Sequence, residues 1–149
     1  MSEAKKPDWG RLYNGVVPYV AVEGAAKAVE FYKRAFGAVQ HGPATADDKG
    51  VIMNVEIEIN GGMVMVMDHM EGMGMRRASE RGHPIHMQLV VPDGRFWMDR
   101  AVAAGCTVVM PFDRQFWGDD YGSVTDPFGI DWAFNQPSAE NMARAEAEG

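Results

Sequence analysis

Phe116-Trp117-Gly118-Asp119-Asp120-Tyr121-Gly122-Ser123-Val124-Thr125-Asp126-Pro127-Phe128-Gly129-Ile130-Asp131-Trp132 is the most informative stretch of this chain. Two turn signals bracket short aromatic strands, giving a hairpin, a turn and a strand in succession. Asp126-Pro127-Phe128-Gly129 has the chemistry of a tight turn, with proline presetting φ and glycine admitting positive φ. Gly118 and Gly122 mark tight bends or close backbone approach. Trp117 and Tyr121 either stack on a planar ligand or seal the end of the structure as core aromatics.

Upstream of this stretch the two halves of the chain share one layout. Val16 to Val22 is β-rich, and Ala25, Ala28, Val29, Tyr32, Ala35 and Phe36 follow at helical spacing. Gly37 stands where a C-terminal cap belongs, and Ala38-Val39 resumes an apolar run. In the second half His86 to Val91 is a strand and Asp93 caps a helix with Trp97, Met98, Ala101 and Val102 on one face. Gly105 ends that helix and Thr107 to Met110 extends again. Further strands run over Val51 to Ile59 and Met63 to Met67 in the first half, and near Phe116 to Thr125 and Ile130 to Asn135 in the second. The expected fold is α+β, two βαβββ modules forming a curved mixed sheet around a central cleft. The modules span about 14–68 and 84–136, within a single domain 1–149 that has a linker loop at 69–83 and a tail at 137–149. Ser138 is expected to cap a short helix through Ala145.

Alternation assigns faces, because successive strand residues point to opposite sides. Met53, Val55, Ile57 and Ile59 share one face, and Asn54, Glu56 and Glu58 the other. Asn60-Gly61-Gly62 is a strong hairpin signal. His86, Gln88 and Val90 share a face opposite Met87, Leu89 and Val91. With helices over the apolar faces, the polar faces form the default ligand site.

Bulk properties exclude several function classes. Net charge is −7 and no basic run exceeds a pair, so the phosphate-binding footprint of a nucleic-acid partner is missing. No stretch approaches the roughly 20 apolar residues of a membrane span, and the polar start lacks the apolar core of a leader. The chain reads as cytoplasmic. Its one cysteine, Cys106, excludes an internal disulfide and reads as a small buried residue at a strand entry.

The pattern FWGD-x-YG-x-V-x-DPFG-x-x-W over 116–132 resembles the glyoxalase/bleomycin-resistance/extradiol-dioxygenase superfamily, with its vicinal oxygen chelate fold, and within it the PhnB-like branch. The resemblance spans Val17 to Asn135. It implies a two-module cleft, homodimerisation and, in the metal-dependent members, a divalent cation held by about four side chains. Carried over residue by residue, His86 matches a ligand position. The usual glutamate of the last strand is replaced by Ala133. The first-strand position falls on Val17 or Pro18, and the fourth-strand candidates are Met65 and Met67, with Asp68 just beyond. One sound donor of four disfavours a divalent cation, so no cofactor is expected and a divalent metal is the less favoured alternative. Ile130 stands where relatives commonly carry histidine.

Two readings of function follow. One is a small-molecule-binding protein, with Tyr19, Asn54, Met65, Met67, Gln88, Trp117 and Tyr121 contacting the ligand. The other is a lyase, isomerase or dioxygenase-like enzyme using His86 with Glu56 as an acid-base pair, or an atypical metal. Thioethers at Met63, Met65, Met67, Met70, Met73 and Met75 with His69 are a conceivable copper(I) set, although methionine is equally the adaptable filler of apolar pockets. No glycine-rich nucleotide turn supports methyl transfer. A third possibility is a regulatory protein with a large exposed apolar patch.

Overall fold

The computed structural model describes residues 9–72 and 85–148. From residue 73 the expected linker, with Met73 and Met75, lies outside the described residues. The described chain forms two compact units, residues 9–33 with 37–72 and residues 34–36 with 85–148.

In the first unit a short helix α1 (Trp9–Leu12) precedes β1 (Tyr19–Val22), and α2 (Ala25–Phe36) follows it. Then come β2 (Val39–Gln40), β3 (Thr45–Ala46), β4 (Ile52–Ile59) and β5 (Gly62–Asp68). The sheet order is β1-β5-β4-β2, with β3 also paired to β4. Strands β1 and β5 run parallel, and the other pairs are antiparallel. The six residues expected on the buried face of α2 are all buried. Gly37 closes that helix at φ 65°, its N–H reaching Tyr32 O. Asn60 and Gly61 both take positive φ, 49° and 82°, which gives the β4–β5 hairpin the twist of its strands.

The second unit runs β6 (Met87–Val90), α3 (Gly94–Ala104), β7 (Thr107–Arg114), β8 (Asp120–Thr125), β9 (Asp131–Gln136) and α4 (Ala139–Glu148). Its sheet order β6-β9-β8-β7 repeats the main path of the first: opening strand, closing strand, the strand just before the closing one, then the strand that follows the helix. Again only the pair formed by opening and closing strands is parallel. The architecture is therefore the α+β duplication expected, with one mixed sheet in each unit. Asp93 caps α3 by accepting from Phe96 N at 3.2 Å. The Phe36 ring, in the last turn of α2, packs 4.3 Å from that of Trp132 within this unit's core.

Four details differ from expectation. α1 and β3 are too short to leave a periodic signal. Phe116 to Asp119 is the β7–β8 turn rather than strand, because β7 continues to Arg114. Val102 is 41% exposed, since only Met98, Ala101 and Gly94 of α3 face inward. α4, capped by the Ser138 hydroxyl accepting from Asn141 N at 3.0 Å, runs to Glu148 rather than Ala145.

Each long helix begins against the last residue of its unit's closing strand. Asp68 Oδ1 accepts from Ala25 N at 2.7 Å, completing a start whose own cap position is Gly24. In the second unit Gln136 Oε1 accepts from Gly94 N at 2.9 Å.

Candidate functional site

On the first sheet the parity holds: Val55, Ile57 and Ile59 are buried, and Asn54, Glu56 and Glu58 lie half-buried on the opposite face. Register adds what alternation alone cannot. Met65 pairs with Tyr19 on one side and Glu56 on the other, so these three side chains form a row across β1, β5 and β4. Met63 and Met67 flank the row and are buried. The Tyr19 hydroxyl donates to Met53 O.

The two glutamates of this face have different surroundings. Glu58 Oε1 meets Arg11 Nη2 at 3.2 Å and His41 Nε2 at 3.3 Å. Arg11 also donates to Gly61 O at 3.0 Å, tying α1 to the hairpin. Glu56 accepts from the Tyr13 hydroxyl instead. Burial, followed by this bond and the carboxylate's charge, pushes the phenol up to about 12. Beside it, Asn54 Oδ1 is buried without a hydrogen-bond partner, alone in this among side-chain atoms of the described residues. Such an atom costs roughly 1–3 kcal/mol. Tyr13 escaped the sequence reading, because a lone aromatic ahead of the first strand carries no pattern.

On the second sheet His86, Gln88 and Val90 are exposed while Leu89 and Val91 are buried, as alternation requires. His86 Nε2 lies 3.4 Å from Gln88 Oε1. Gln88 pairs with Ala133, and Ala133 with Ser123. Trp117 is 40% exposed and meets Tyr121 edge-on at 5.7 Å, while Phe116, 98% exposed, stands against Trp117 at 5.0 Å. Trp117 is thus a surface aromatic and not a core one. Glu56 and His86 belong to different units, and each has its own partner, Tyr13 and Gln88 respectively.

The donor set does not fit the divalent metal that the resemblance implies. Ala133 is 0% exposed and has no donor to offer. Both Asp68 oxygens are engaged by backbone, Oδ1 by Ala25 N and Oδ2 by Ile52 N at 2.8 Å. Among the described residues no three His, Cys, Asp or Glu side chains converge on a common point.

The signature residues prove to be structural anchors. Asp126 is buried; its Oδ1 accepts from Phe128 N at 2.8 Å and Ile130 N at 3.0 Å, and its Oδ2 from Trp132 Nε1 at 2.8 Å. Asp119 accepts from Asn135 Nδ2 at 3.0 Å, Ser138 N at 2.9 Å and Asn141 Nδ2 at 2.7 Å, and so ties α4 to the sheet. The Asn135 and Asn141 side chains, then the Ser138 N–H, hold this carboxyl below its ordinary value. A depressed carboxyl stabilises fully above its unfolded value of about 4 and ceases to as pH falls through the folded value. Asp119→Asn is therefore expected to lower the urea midpoint at neutral pH, with a loss of about 1–2 kcal/mol. The gap from wild type should narrow below about pH 4.

Cys106 is buried, and its thiol is pushed up to about 12 by burial and by the charge of Asp126. Thiolate is the reactive form. Ellman's reagent at pH 8 should leave the folded protein unlabelled and titrate one thiol in 6 M guanidinium.

Comparison with known proteins agrees with this geometry. The Mycobacterium bovis protein Mb0911c is 39% identical over 135 residues, 87% of this chain and 88% of its own. TioX from Micromonospora sp. ML1 superposes with TM-score 0.63 at 27% identity, over 83% of this chain and 98% of that one. The fosfomycin resistance protein FosX of Listeria monocytogenes, complexed with Mn(II) and sulfate, shares the fold at 12% identity. Its TM-score is 0.65, over 90% of this chain and 98% of that one. Residues 15–134, from just before β1 into β9, match one family model, and the chain belongs to the Glyoxalase/Bleomycin resistance protein/Dioxygenase superfamily.

Proposed function

We infer that this chain is a small-molecule-binding protein of the superfamily's PhnB-like branch, holding its ligand without the usual divalent metal. The observation that carries the reading is Ala133, which lies in β9 directly across from Gln88 where metal-dependent relatives place a glutamate. The proposed ligand contacts are Tyr19, Asn54, Met65 and Met67 on the first sheet's polar face, Gln88 and Tyr121 on the second sheet, and Trp117 in the β7–β8 turn. Glu56 and His86 lie on the same faces and add a carboxylate and an imidazole. The exposed apolar residues Val108, Val109 and Met110 on the edge strand β7 support assembly as a homodimer, which light scattering tests directly.

The reading predicts that protein purified without an affinity tag carries no stoichiometric metal by elemental analysis. A thermal-shift library of planar aromatic and glycopeptide compounds should contain ligands that stabilise it. Met65→Ala should weaken them without changing metal content. Tightly bound metal at one equivalent would refute the metal-free reading, and a library without any stabilising compound would refute the binding role.

A further inference from the structure

We propose that Asn54 and Glu56 recognise the protonated amine or amidine end of a ligand whose apolar body lies over Met65 and Tyr19. The assignment rests on the reading of the first sheet's polar face as a ligand surface, and it names the chemistry of what binds there. Three observations converge on it.

Glu56 is half-buried and, among the described residues, has a phenol as partner and no cation. Glu58, two residues along the same face, is matched by Arg11 and His41. The strand therefore leaves one carboxylate paired with basic side chains and its neighbour paired with a phenol. Tyr13 lies in reach of Glu56 as a neutral donor, and with the phenol raised to about 12 it stays one throughout the physiological range. It orients the carboxylate without cancelling its charge.

Asn54 lies on the other side of Glu56, about 7 Å along the strand. Its Oδ1 is an acceptor with no donor. The terminal amide torsion of asparagine is broad and shallow, so this oxygen can reorient toward a donor that a ligand brings. A carboxylate and a carbonyl oxygen together, both lacking N–H donors, suit a group that carries several N–H bonds and a positive charge. An ammonium or amidinium supplies both. An anion would bring its charge against the Glu56 carboxylate, and an alcohol would leave that charge uncompensated.

The remaining surface suits the rest of such a molecule. Met65 stands in the row between Tyr19 and Glu56, offering a polarisable thioether and a half-exposed aromatic ring beside the charged end. Thioethers pack well against aromatic rings. A compact aromatic amidine has both halves of the required chemistry.

The experiment uses the full chain with 13C-methyl methionine, the Met65 signal being assigned from Met65→Leu. Benzamidine, benzyl alcohol and benzoate serve as cationic, neutral and anionic probes of similar size. Benzamidine is expected to shift the Met65 signal saturably, and the other two are not. Glu56→Gln, which preserves shape, should weaken benzamidine at least tenfold. Asn54→Leu should weaken it while raising Tm, because it removes a buried acceptor without a donor; a residue needed only for folding would lower Tm instead. Two outcomes overturn the cation assignment while leaving a ligand surface in place: equal shifts from benzyl alcohol or benzoate, or unchanged benzamidine affinity in Glu56→Gln. Silence of Met65 toward all three probes overturns it as well, and the thermal-shift library then judges the broader binding role separately.

Discussion

Replacing Asp126 with alanine is expected to destabilise the protein by about 3–5 kcal/mol, lowering Tm by roughly 10 °C. The carboxylate is buried and accepts from two backbone N–H groups and from the indole of Trp132, itself buried. Truncation opens the turn and deprives the buried indole N–H of its carboxylate acceptor, and a buried donor that loses its acceptor costs desolvation. Asp126→Asn separates the two effects. Its amide oxygen can still accept from Phe128 and Ile130, but the amide nitrogen faces another donor at Trp132. The loss should be about half that of alanine, and in a Trp132→Phe background it should shrink further. Additive losses in that double-mutant cycle would disprove the coupling. Chemical denaturation with the midpoint and slope fitted separately gives the measurement.

The second large effect is expected at Gly122, where alanine should cost about 2–3 kcal/mol. A Cβ there would lie 2.9 Å from Phe112 Cα, 3.0 Å from its Cβ and 3.1 Å from its N. The obstacle is mostly backbone of the adjoining strand, so shortening Phe112 cannot relieve it. Gly94 provides the contrast. A Cβ at that position would come within 2.5 Å of Cε2 and Cζ of the Phe112 ring. Gly94→Ala should therefore be partly rescued by Phe112→Leu, and Gly122→Ala should not. Equal rescue at both sites would show that β7 yields as readily as a side chain does. Phe112 is itself held in place, its carbonyl accepting from Arg95 Nη2 at 2.8 Å while that guanidinium lies 5.0 Å from the ring centre.

Local chemistry made much of this fold legible. The apolar stripe of α2, the Asn60-Gly61 hairpin and the turn at Asp126-Pro127 are each written within a dozen residues, where spacing and φ preference speak directly. Parity likewise placed Asn54, Glu56 and Glu58 on one face. What parity cannot supply is what approaches from elsewhere in the chain. Glu56 and Glu58 are equivalent by alternation, yet one meets Arg11 and His41 while the other meets Tyr13. Asp68 was open to reading as a possible ligand because carboxylates bind metals, and its oxygens are engaged by two amides remote in sequence. The signature at 116–132 was informative about the family for a reason invisible in its letters. Asp119 holds α4, Asp126 holds the turn and its indole, and Gly122 makes room for Phe112.

The way each long helix begins has a consequence for how the chain is made. Ala25 waits for an oxygen 43 residues downstream, and Gly94 for one 42 residues downstream. As the polypeptide leaves the ribosome, neither helix start can be completed until its closing strand has emerged and returned to pair beside the opening one. Synthesis is thereby divided into two similar waiting periods, one ending at Asp68 and the other at Gln136. A nascent chain stalled just short of either residue would hold a nearly finished unit with its helix entrance still bonded to water.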